Sequence, residues 1–304
     1  PLYPHQQDTR QSARSALKKH KGVMVYGPTG SGKTRIFSDI VAHSTKPVWV
    51  LVNRYHLLKS AVKTIQESFT PESKFGHLAI QELRPKSKKF NPDACIVVAM
   101  VQTLKRRDYD LSHVGLLIVD EAHLTDFDDQ IERFPNAYRL GFSATPKRKG
   151  RQRQLTDFYT KLIHRIGISQ LLKDGYLVGC KEHHFTVANL KDLKLSKGDF
   201  DEAVMYGEFD KKIIYSGVVD NWLRICPNLQ TLVFCVNREH ARKMCDEFIS
   251  KGVNARYIVS DGISDADRNA ILKDWNDSVF DVLINVGIYT TGFDQPSLRC
   301  VILA

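Results

Sequence analysis

Gly27-Pro28-Thr29-Gly30-Ser31-Gly32-Lys33-Thr34 is the stretch of this 304-residue sequence that decides the fold. It follows the apolar run 23–26 and leads into a helical pattern that begins at Ile36. A strand, a glycine-rich turn and a helix N-terminus form a phosphate-binding loop, because glycine lets successive N–H groups point at one anion and the helix dipole adds positive charge. The pattern predicts that the loop binds nucleotide phosphates, with Lys33 on the β and γ oxygens and the Thr34 hydroxyl on Mg²⁺.

Composition and charge limit the class of protein. The chain is 42% hydrophobic and 26% charged, which suffices for two ordinary domains, and no apolar run approaches the length of a membrane span. Without a signal-peptide pattern, we expect an intracellular protein that is not secreted and has no membrane partner. None of the six cysteines forms a C-x-x-C pair, so no zinc site or disulfide framework is predicted.

The net charge of +10 arises entirely within the first 150 residues. Its basic clusters lie at residues 18–21, 84–89, 105–107 and 147–153. Such clusters suit a polyanionic partner, because each neutralised phosphate releases counterions. A solvated protein surface explains the same clusters equally well.

Apolar runs alternate with helical patterns along most of the chain. In the first half the strand-like runs are residues 23–26, 48–52, 96–100, 116–119 and 138–142. A transitional stretch at 147–180, a strand at 181–188 and a polar insertion at 189–209 follow. From residue 210 the predicted elements are a helix at 211–225, strands at 231–236, 256–259 and 281–286, a helix at 238–250 capped by Asn237 and Gly252, and a helix that begins with a capping box at Ser264 and Asp267. This order predicts two parallel α/β sheets.

Asp120-Glu121-Ala122-His123 follows the apolar run 116–119. A carboxylate at the end of a buried strand, in a chain that has a phosphate loop, can hold the Mg²⁺ of the nucleotide, and its neighbour can deprotonate the attacking water. We therefore predict Asp120 as a metal ligand and Glu121 as the general base, with Lys33 as a third catalytic residue.

These motifs together resemble the superfamily-2 helicases and translocases of the DEAD/DEAH type. The phosphate loop and the DEAH letters are followed in the family's order by residues 141–146, Gly-Phe-Ser-Ala-Thr-Pro. Residues 2–6 resemble the glutamine motif, 50–58 motif Ia, 98–104 motif Ib, 231–244 motif IV and 285–296 motif V. Residues 171–177 also resemble this family. Within it, the chain is most similar to the branch of restriction-enzyme motor subunits, DNA repair helicases and phage-encoded relatives.

The resemblance implies two RecA-like P-loop domains in tandem, each a parallel sheet flanked by helices. The first spans residues 1–150 with motifs Q, I, Ia, Ib, II and III, residues 151–209 form a linker and insertion, and residues 210–304 hold motifs IV and V. The family's motif VI, Gln-x-x-Gly-Arg-x-x-Arg, does not occur in these residues. Arginine fingers accelerate phosphoryl transfer by about 10³–10⁵, so we expect an incomplete second domain and weak ATP hydrolysis in this form.

The resemblance also implies roles for individual residues. ATP is expected to contact Gln6, Gly27, Thr29, Gly30, Ser31, Gly32, Lys33, Thr34, Asp120, Gly292 and Asp294, with Thr34 and Asp120 on the metal. His123, Ser143 and Thr145 are expected to couple hydrolysis to the strand-binding face. The nucleic-acid contacts are expected at Arg54, Gln102, Thr103, Asn237, Arg238, Thr290 and Thr291. Tyr3 stands where the family usually has arginine, so whether it stacks on the base stays open.

The function that follows is an ATP-dependent helicase or translocase that moves along a nucleic acid, with DNA favoured over RNA. The resemblance further implies a monomer in the cytoplasm, or in the nucleoid or host cytoplasm for a phage protein, and allows an accessory protein or domain. Two alternatives stay open: an ATP-dependent nucleic-acid-binding or remodelling protein that separates no strands, and an RNA helicase. A small-molecule kinase or GTPase-like switch is disfavoured, since no guanine-reading Asn-Lys-x-Asp is present.

Overall fold

The structure is a computed structural model that describes residues 1–75, 80–85, 87, 90–148, 153–185, 195–196, 199–200, 206–207, 210–259, 264–287, 295 and 297–304. Within these residues the chain divides into two units, Pro1–Lys181 and Glu182–Ala304. Each unit contains a parallel sheet with helices against it. The predicted α/β class with two P-loop-type sheets is therefore confirmed.

The first unit holds a seven-stranded sheet. Its strands are β1 (Gly22–Tyr26), β2 (Val48–Val52), β3 (Ile80–Leu83), β4 (Ile96–Met100), β5 (Leu116–Asp120), β6 (Tyr138–Ser143) and β7 (Lys161–His164). Its helices are α1 (Pro4–Leu17), α2 (Lys33–Ala42), α3 (Tyr55–Glu67), α4 (Val101–Leu104), α5 (Asp128–Glu132) and α6 (Ile168–Lys173), with 3₁₀ turns at Thr125–Phe127 and Leu155–Asp157.

The strand order of this sheet gathers the predicted motifs at one edge. The order is β3-β4-β2-β5-β6-β1-β7, and all neighbouring strands are parallel. Strand β6 lies between β1 and β5. Parallel strands end at the same edge of a sheet. The phosphate loop after β1, the turn at residues 121–124 after β5 (the DEAH turn) and the residues after β6 therefore become neighbours.

Both faces of the first sheet are covered, as strand β2 illustrates. Val48, Val50 and Val52 belong to the core packed against α1, α2 and α3, whereas Trp49 and Leu51 belong to the core on the opposite face, with residues of α4 and α5. All five side chains are fully buried. A strand buried on both faces appears in the sequence as an unbroken apolar run, which is why its bounds could be predicted.

The second unit holds a four-stranded parallel sheet in the order β11-β12-β10-β13. Its strands are β10 (Thr231–Phe234), β11 (Ala255–Ile258), β12 (Val282–Asn285) and β13 (Cys300–Leu303), and its helices are α7 (Lys212–Ile225), α8 (Arg238–Ser250) and α9 (Asp265–Asn276). A short antiparallel hairpin, β8 (Leu195–Ser196) with β9 (Asp199–Phe200), precedes them.

Side-chain caps set the starts of two helices in this unit. The Asn237 carboxamide oxygen accepts the N–H of His240 at 2.9 Å, and the Ser264 hydroxyl accepts the N–H of Asp267 at 3.1 Å. Gly252, with φ +79°, follows the end of α8. The three predicted caps are confirmed.

Two stretches differ from the sequence-based expectation. Residues 181–185 form no strand, although a strand was predicted at 181–188. Strand β7 lies within the range 151–209 predicted as linker and insertion, yet it pairs with β1 in the first sheet. Its burial alternates only weakly, with one buried side chain in four, so no periodicity marked it. No described helix is long and apolar enough to cross a membrane.

Candidate functional site

The phosphate loop joins β1 to the N-terminus of α2. Gly30 and Gly32 have φ of +81° and +78°, a region that residues with a Cβ adopt rarely. The Gly27 N–H donates to the Ser143 carbonyl at 3.1 Å, and the Ser31 N–H donates to the Pro28 carbonyl at 3.1 Å. The loop is therefore curled at the start of α2, where backbone N–H groups favour an anion, and it is hydrogen-bonded to the end of β6.

Lys33, the first residue of α2, folds back over this loop. Its Nζ donates to the Gly27 carbonyl at 3.2 Å and to the Pro28 carbonyl at 3.4 Å. Burial lowers the pKa of Lys33, while Glu121 and Asp120 act against that shift. The ammonium thus lies in the field of both carboxylates that the sequence predicted for catalysis.

Asp120 is the last residue of β5 and is buried. One carboxylate oxygen accepts the Glu121 N–H at 3.0 Å. Burial and the nearby Glu121 raise the pKa of Asp120 to about 6, whereas Lys33 lowers it. A bound cation would offset this penalty, because opposite charge favours the ionised carboxylate.

Glu121 has φ +50°, in the left-handed region. The Leu124 N–H donates to its carbonyl at 3.0 Å, and the Ala122 N–H donates to the Phe142 carbonyl of β6 at 2.9 Å. The chain therefore turns sharply after β5 and remains attached to the neighbouring strand. Strain of this kind is concentrated at functional sites.

The three residues predicted for coupling lie together. The His123 Nδ1 is 3.0 Å from the Ser143 hydroxyl and 3.4 Å from a Glu121 carboxylate oxygen. The same hydroxyl accepts the Thr145 N–H at 2.9 Å. Burial lowers the pKa of His123, and Glu121 opposes that shift. A hydrogen-bonded path thus joins the DEAH turn to the end of β6.

Gln6 of α1 connects the predicted glutamine motif to the phosphate loop. Its side chain is buried, and its Nε2 donates to the Ser31 carbonyl at 3.3 Å while its Oε1 accepts the Tyr3 N–H at 3.0 Å. A Cβ added at Gly32 would lie 2.1 Å from this Nε2. One N–H and one lone pair of the Gln6 amide remain available for hydrogen bonds to the edge of a nucleotide base.

The Tyr3 ring lies against two other rings. Its centroid is 4.8 Å from that of Tyr176 and 6.1 Å from that of His5. His5 also places its Nε2 3.2 Å from the Ser31 carbonyl. Tyr3 remains 55% exposed, so an aromatic surface stands beside the loop.

The predicted nucleic-acid contacts differ in exposure. Arg54 precedes α3, and Gln102 donates from Nε2 to the Asn53 carbonyl at 2.9 Å, so these two motifs meet at the carboxyl edge of β2 and β4. Thr103 is only 1% exposed, and its hydroxyl finds no hydrogen-bond partner among the described residues. Its hydroxyl cannot reach a ligand without rearrangement.

In the second unit, Asn237 caps α8 as predicted, so its carboxamide oxygen is already hydrogen-bonded to the His240 N–H. Arg238 is exposed at the start of α8. Thr290, Thr291, Gly292 and Asp294 lie outside the described residues.

Arg148 is the residue whose place the sequence did not indicate. It belongs to the basic cluster 147–153, which was assigned to a polyanionic partner or to a solvated surface. Its side chain is instead 2% exposed and forms an ion pair at 2.8 Å with Asp128, which is 8% exposed. No signal in the sequence marks this pairing, because the two residues meet only once β5 and β6 are adjacent.

Fold and site together define a class of protein, the P-loop proteins with tandem RecA-like domains. Two family models match the chain: "Type III restriction enzyme, res subunit" covers residues 1–148, and "Helicase conserved C-terminal domain" covers residues 217–304. The chain therefore belongs to superfamily 2 of the helicases.

Two fungal proteins are similar to nearly the whole chain. IRC3 of Saccharomyces cerevisiae, whose name assigns it to the ATP-dependent helicases, is 28% identical over 99% of this chain and 46% of its own length. The irc3 protein of Schizosaccharomyces pombe is 27% identical over 99% of this chain and 51% of its own length. The chain thus spans about half the length of these relatives.

Solved structures show the same fold at low identity. The helicase domain of Pyrococcus furiosus Hef matches 98% of this chain and 90% of its own with a TM-score of 0.57 and 15% identity. Dbp5 of Saccharomyces cerevisiae, bound to RNA and ADP BeF3, matches 99% of this chain and 78% of its own with a TM-score of 0.58 and 16% identity. At these identities the likeness concerns the fold alone.

Proposed function

We propose that this chain is the ATP-driven motor part of a nucleic-acid helicase or translocase, acting on DNA in preference to RNA. The observation that carries the proposal is the link between the DEAH turn and the end of β6, with His123 Nδ1 3.0 Å from the Ser143 hydroxyl. A motor needs such a connection, because hydrolysis must alter the grip on the strand.

The residues around the loop suit ATP with Mg²⁺. Gly30 and Gly32 let the backbone approach the phosphates, and the Thr34 hydroxyl and the Asp120 carboxylate are hard oxygen donors of the kind that Mg²⁺ prefers. When bound, Mg²⁺ neutralises charge on the phosphate oxygens. Lys33 would contact the β and γ oxygens.

Glu121 is proposed to accept a proton from the attacking water. It adjoins Asp120, and its carboxylate lies 3.4 Å from His123. Gln6 is proposed to select adenine through the amide valences that remain free. Tyr3 supplies an exposed ring beside the same loop.

The preference for DNA draws support from two sources. The model that matches the first half describes a restriction-enzyme subunit, and UvrABC system protein B is among the relatives, at 27% identity over 61% of this chain. Dbp5 was solved with RNA, which keeps RNA helicase as the alternative. A motor that moves without separating strands would use the same residues.

The test is the ATPase rate of the chain alone and with single-stranded DNA, duplex DNA and single-stranded RNA. We expect slow turnover from residues 1–304, because they contain no Gln-x-x-Gly-Arg-x-x-Arg sequence. DNA is expected to stimulate the rate more than RNA does. Equal rates with and without every nucleic acid would refute the motor, and an unwinding assay beside a translocation assay separates helicase from translocase.

Two substitutions test the assigned roles. Lys33→Ala is expected to abolish nucleotide binding, whereas Glu121→Gln should retain binding and lose hydrolysis. Lys63→Ala is the control, since that side chain is 78% exposed on α3. Full turnover by Glu121→Gln would exclude Glu121 as the general base.

A further inference from the structure

The guanidinium of Arg148 is hydrogen-bonded to the turn that follows β5. Its Nε donates to the His123 carbonyl at 2.8 Å, and its Nη2 donates to the Ala122 carbonyl at 3.2 Å and to the Leu124 carbonyl at 3.1 Å. Three consecutive carbonyls of the DEAH turn are thus held by one side chain. The planar fork of arginine makes this possible, and the point charge of lysine could not reproduce it.

Asp128 fixes the guanidinium from the other side. Its two carboxylate oxygens accept from Nη1 at 3.0 Å and from Nη2 at 2.8 Å, and the Arg153 carbonyl accepts from Nη1 at 2.8 Å. A buried charge needs such a complete set of partners. The guanidinium of Arg148 is therefore hydrogen-bonded to the turn on one side and to Asp128 on the other.

The residue that this turn shapes is Glu121. Its φ of +50° is a conformation that Cβ crowding disfavours, so the surrounding structure must hold it. The carbonyls fixed by Arg148 belong to the three residues that follow Glu121 directly. If they are released, the turn can relax and the carboxylate of Glu121 moves.

Arg148 also links this turn to the segment after β6. Ser143 contacts the His123 side chain, and five residues later Arg148 contacts the His123 backbone. The same segment therefore holds the DEAH turn at two points. A displacement of that segment would therefore act on the turn through both contacts.

We propose that Arg148 is the positioning residue for Glu121, holding the general base in place from the segment that follows β6. This inference rests on the proposed function, in which Glu121 activates the water. Arg148 touches no substrate in this scheme and acts only through the turn.

The test separates positioning from stability. Arg148→Met removes the guanidinium, and the double substitution Arg148→Met with Asp128→Leu removes both buried charges. Replacing both members of a buried ion pair with apolar side chains is often neutral or stabilising, whereas removing one leaves an unpaired charge. The double variant should regain thermal stability, but it should not regain the hydrogen bonds to the carbonyls of residues 122–124.

The rate of single-turnover hydrolysis at saturating ATP and Mg²⁺ is expected to fall about 10²-fold in both variants, because a small misplacement of a catalytic group causes a loss of that size. ATP affinity should stay unchanged. In a Glu121→Gln background, Arg148→Met should cause no further loss, because effects through one group are not additive. Arg153→Met is the control, since the side chain of Arg153 pairs with Glu132 at the surface, and the hydrogen bond from Arg148 goes to the Arg153 backbone carbonyl, which the substitution keeps.

Hydrogen–deuterium exchange on the chain without nucleotide gives a second measurement, independent of activity. The amides of residues 122–124 should exchange faster in both Arg148 variants than in Arg153→Met, while those of β5 stay protected. Recovery of hydrolysis and protection in the double variant would overturn the proposal, because Arg148 would then be only half of a structural ion pair.

Failure of the proposed function looks different from failure of the inference. If the unsubstituted chain hydrolyses no ATP with any nucleic acid, the proposed function fails, and the inference falls with it as a statement about catalysis. If the chain hydrolyses ATP and Arg148→Met behaves like Arg153→Met in both assays, only the inference fails.

Discussion

Gly32→Ala tests whether the glutamine motif and the phosphate loop are one unit. The added Cβ would lie 2.1 Å from the Nε2 of Gln6 and 3.1 Å from its Cδ. A contact this short forces the Gln6 side chain away, and its hydrogen bond to the Ser31 carbonyl is lost. Alanine must also adopt φ +78° at the N-cap of α2, directly before the helix begins.

The magnitude has two parts. A left-handed conformation costs alanine roughly 1–2 kcal/mol relative to glycine. Separating the buried Gln6 amide from its partner costs about 1–3 kcal/mol. Together the free energy of unfolding of the first unit should fall by about 2–5 kcal/mol. Because the Ser31 carbonyl shifts with the loop, ATP affinity should fall more than about tenfold.

Gly175→Ala is the matched control. Gly175 lies in the same unit at φ +75°, but a Cβ there would meet no atom within 4 Å. In the Gly175→Ala variant the free energy of unfolding should fall by about 1–2 kcal/mol, because only the backbone conformation is strained, and ATP affinity should stay the same. Urea unfolding and titration with a fluorescent ATP analogue measure both quantities. Equal losses in the two variants, with ATP affinity unchanged, would refute the reasoning.

Three further predictions concern buried polar contacts. Ser143→Ala removes the acceptor of the Thr145 N–H and should keep ATP binding while stimulation of the ATPase by nucleic acid is lost; undiminished stimulation would exclude Ser143 from coupling. Burial lowers the pKa of His240 from 6.5 to about 4, so the unfolded chain takes up a proton that the folded one refuses. The free energy of unfolding should then fall by up to about 1.4 kcal/mol per pH unit from pH 6.5 towards 4, and His240→Gln should flatten that slope; an unchanged slope would contradict it. Trp222→Phe loses a 2.7 Å hydrogen bond to the Thr231 hydroxyl and should cost about 1–3 kcal/mol in urea unfolding; a loss no larger than that of a surface substitution would argue against it.

Strands buried on both faces were the easiest elements to predict. The ranges 48–52 and 96–100 agree with β2 and β4 residue for residue, because each is an uninterrupted apolar run. The caps at Asn237 and Ser264 were predicted because they depend on neighbours three residues away. Strand β7 was missed, since it is a partly exposed edge strand whose partner β1 lies more than a hundred residues earlier.

The sequence alone determined the phosphate loop, the DEAH turn after β5 and the two-sheet class, because each depends on residues close together in the chain. Only the tertiary structure shows that Arg148 is buried and hydrogen-bonded to the DEAH turn, and that Thr103 is buried. It also decided that Asp120 has a raised pKa. Burial and charge pairing arise only when distant strands come together, so a basic cluster or a polar strand end does not reveal in advance which of its side chains will be enclosed.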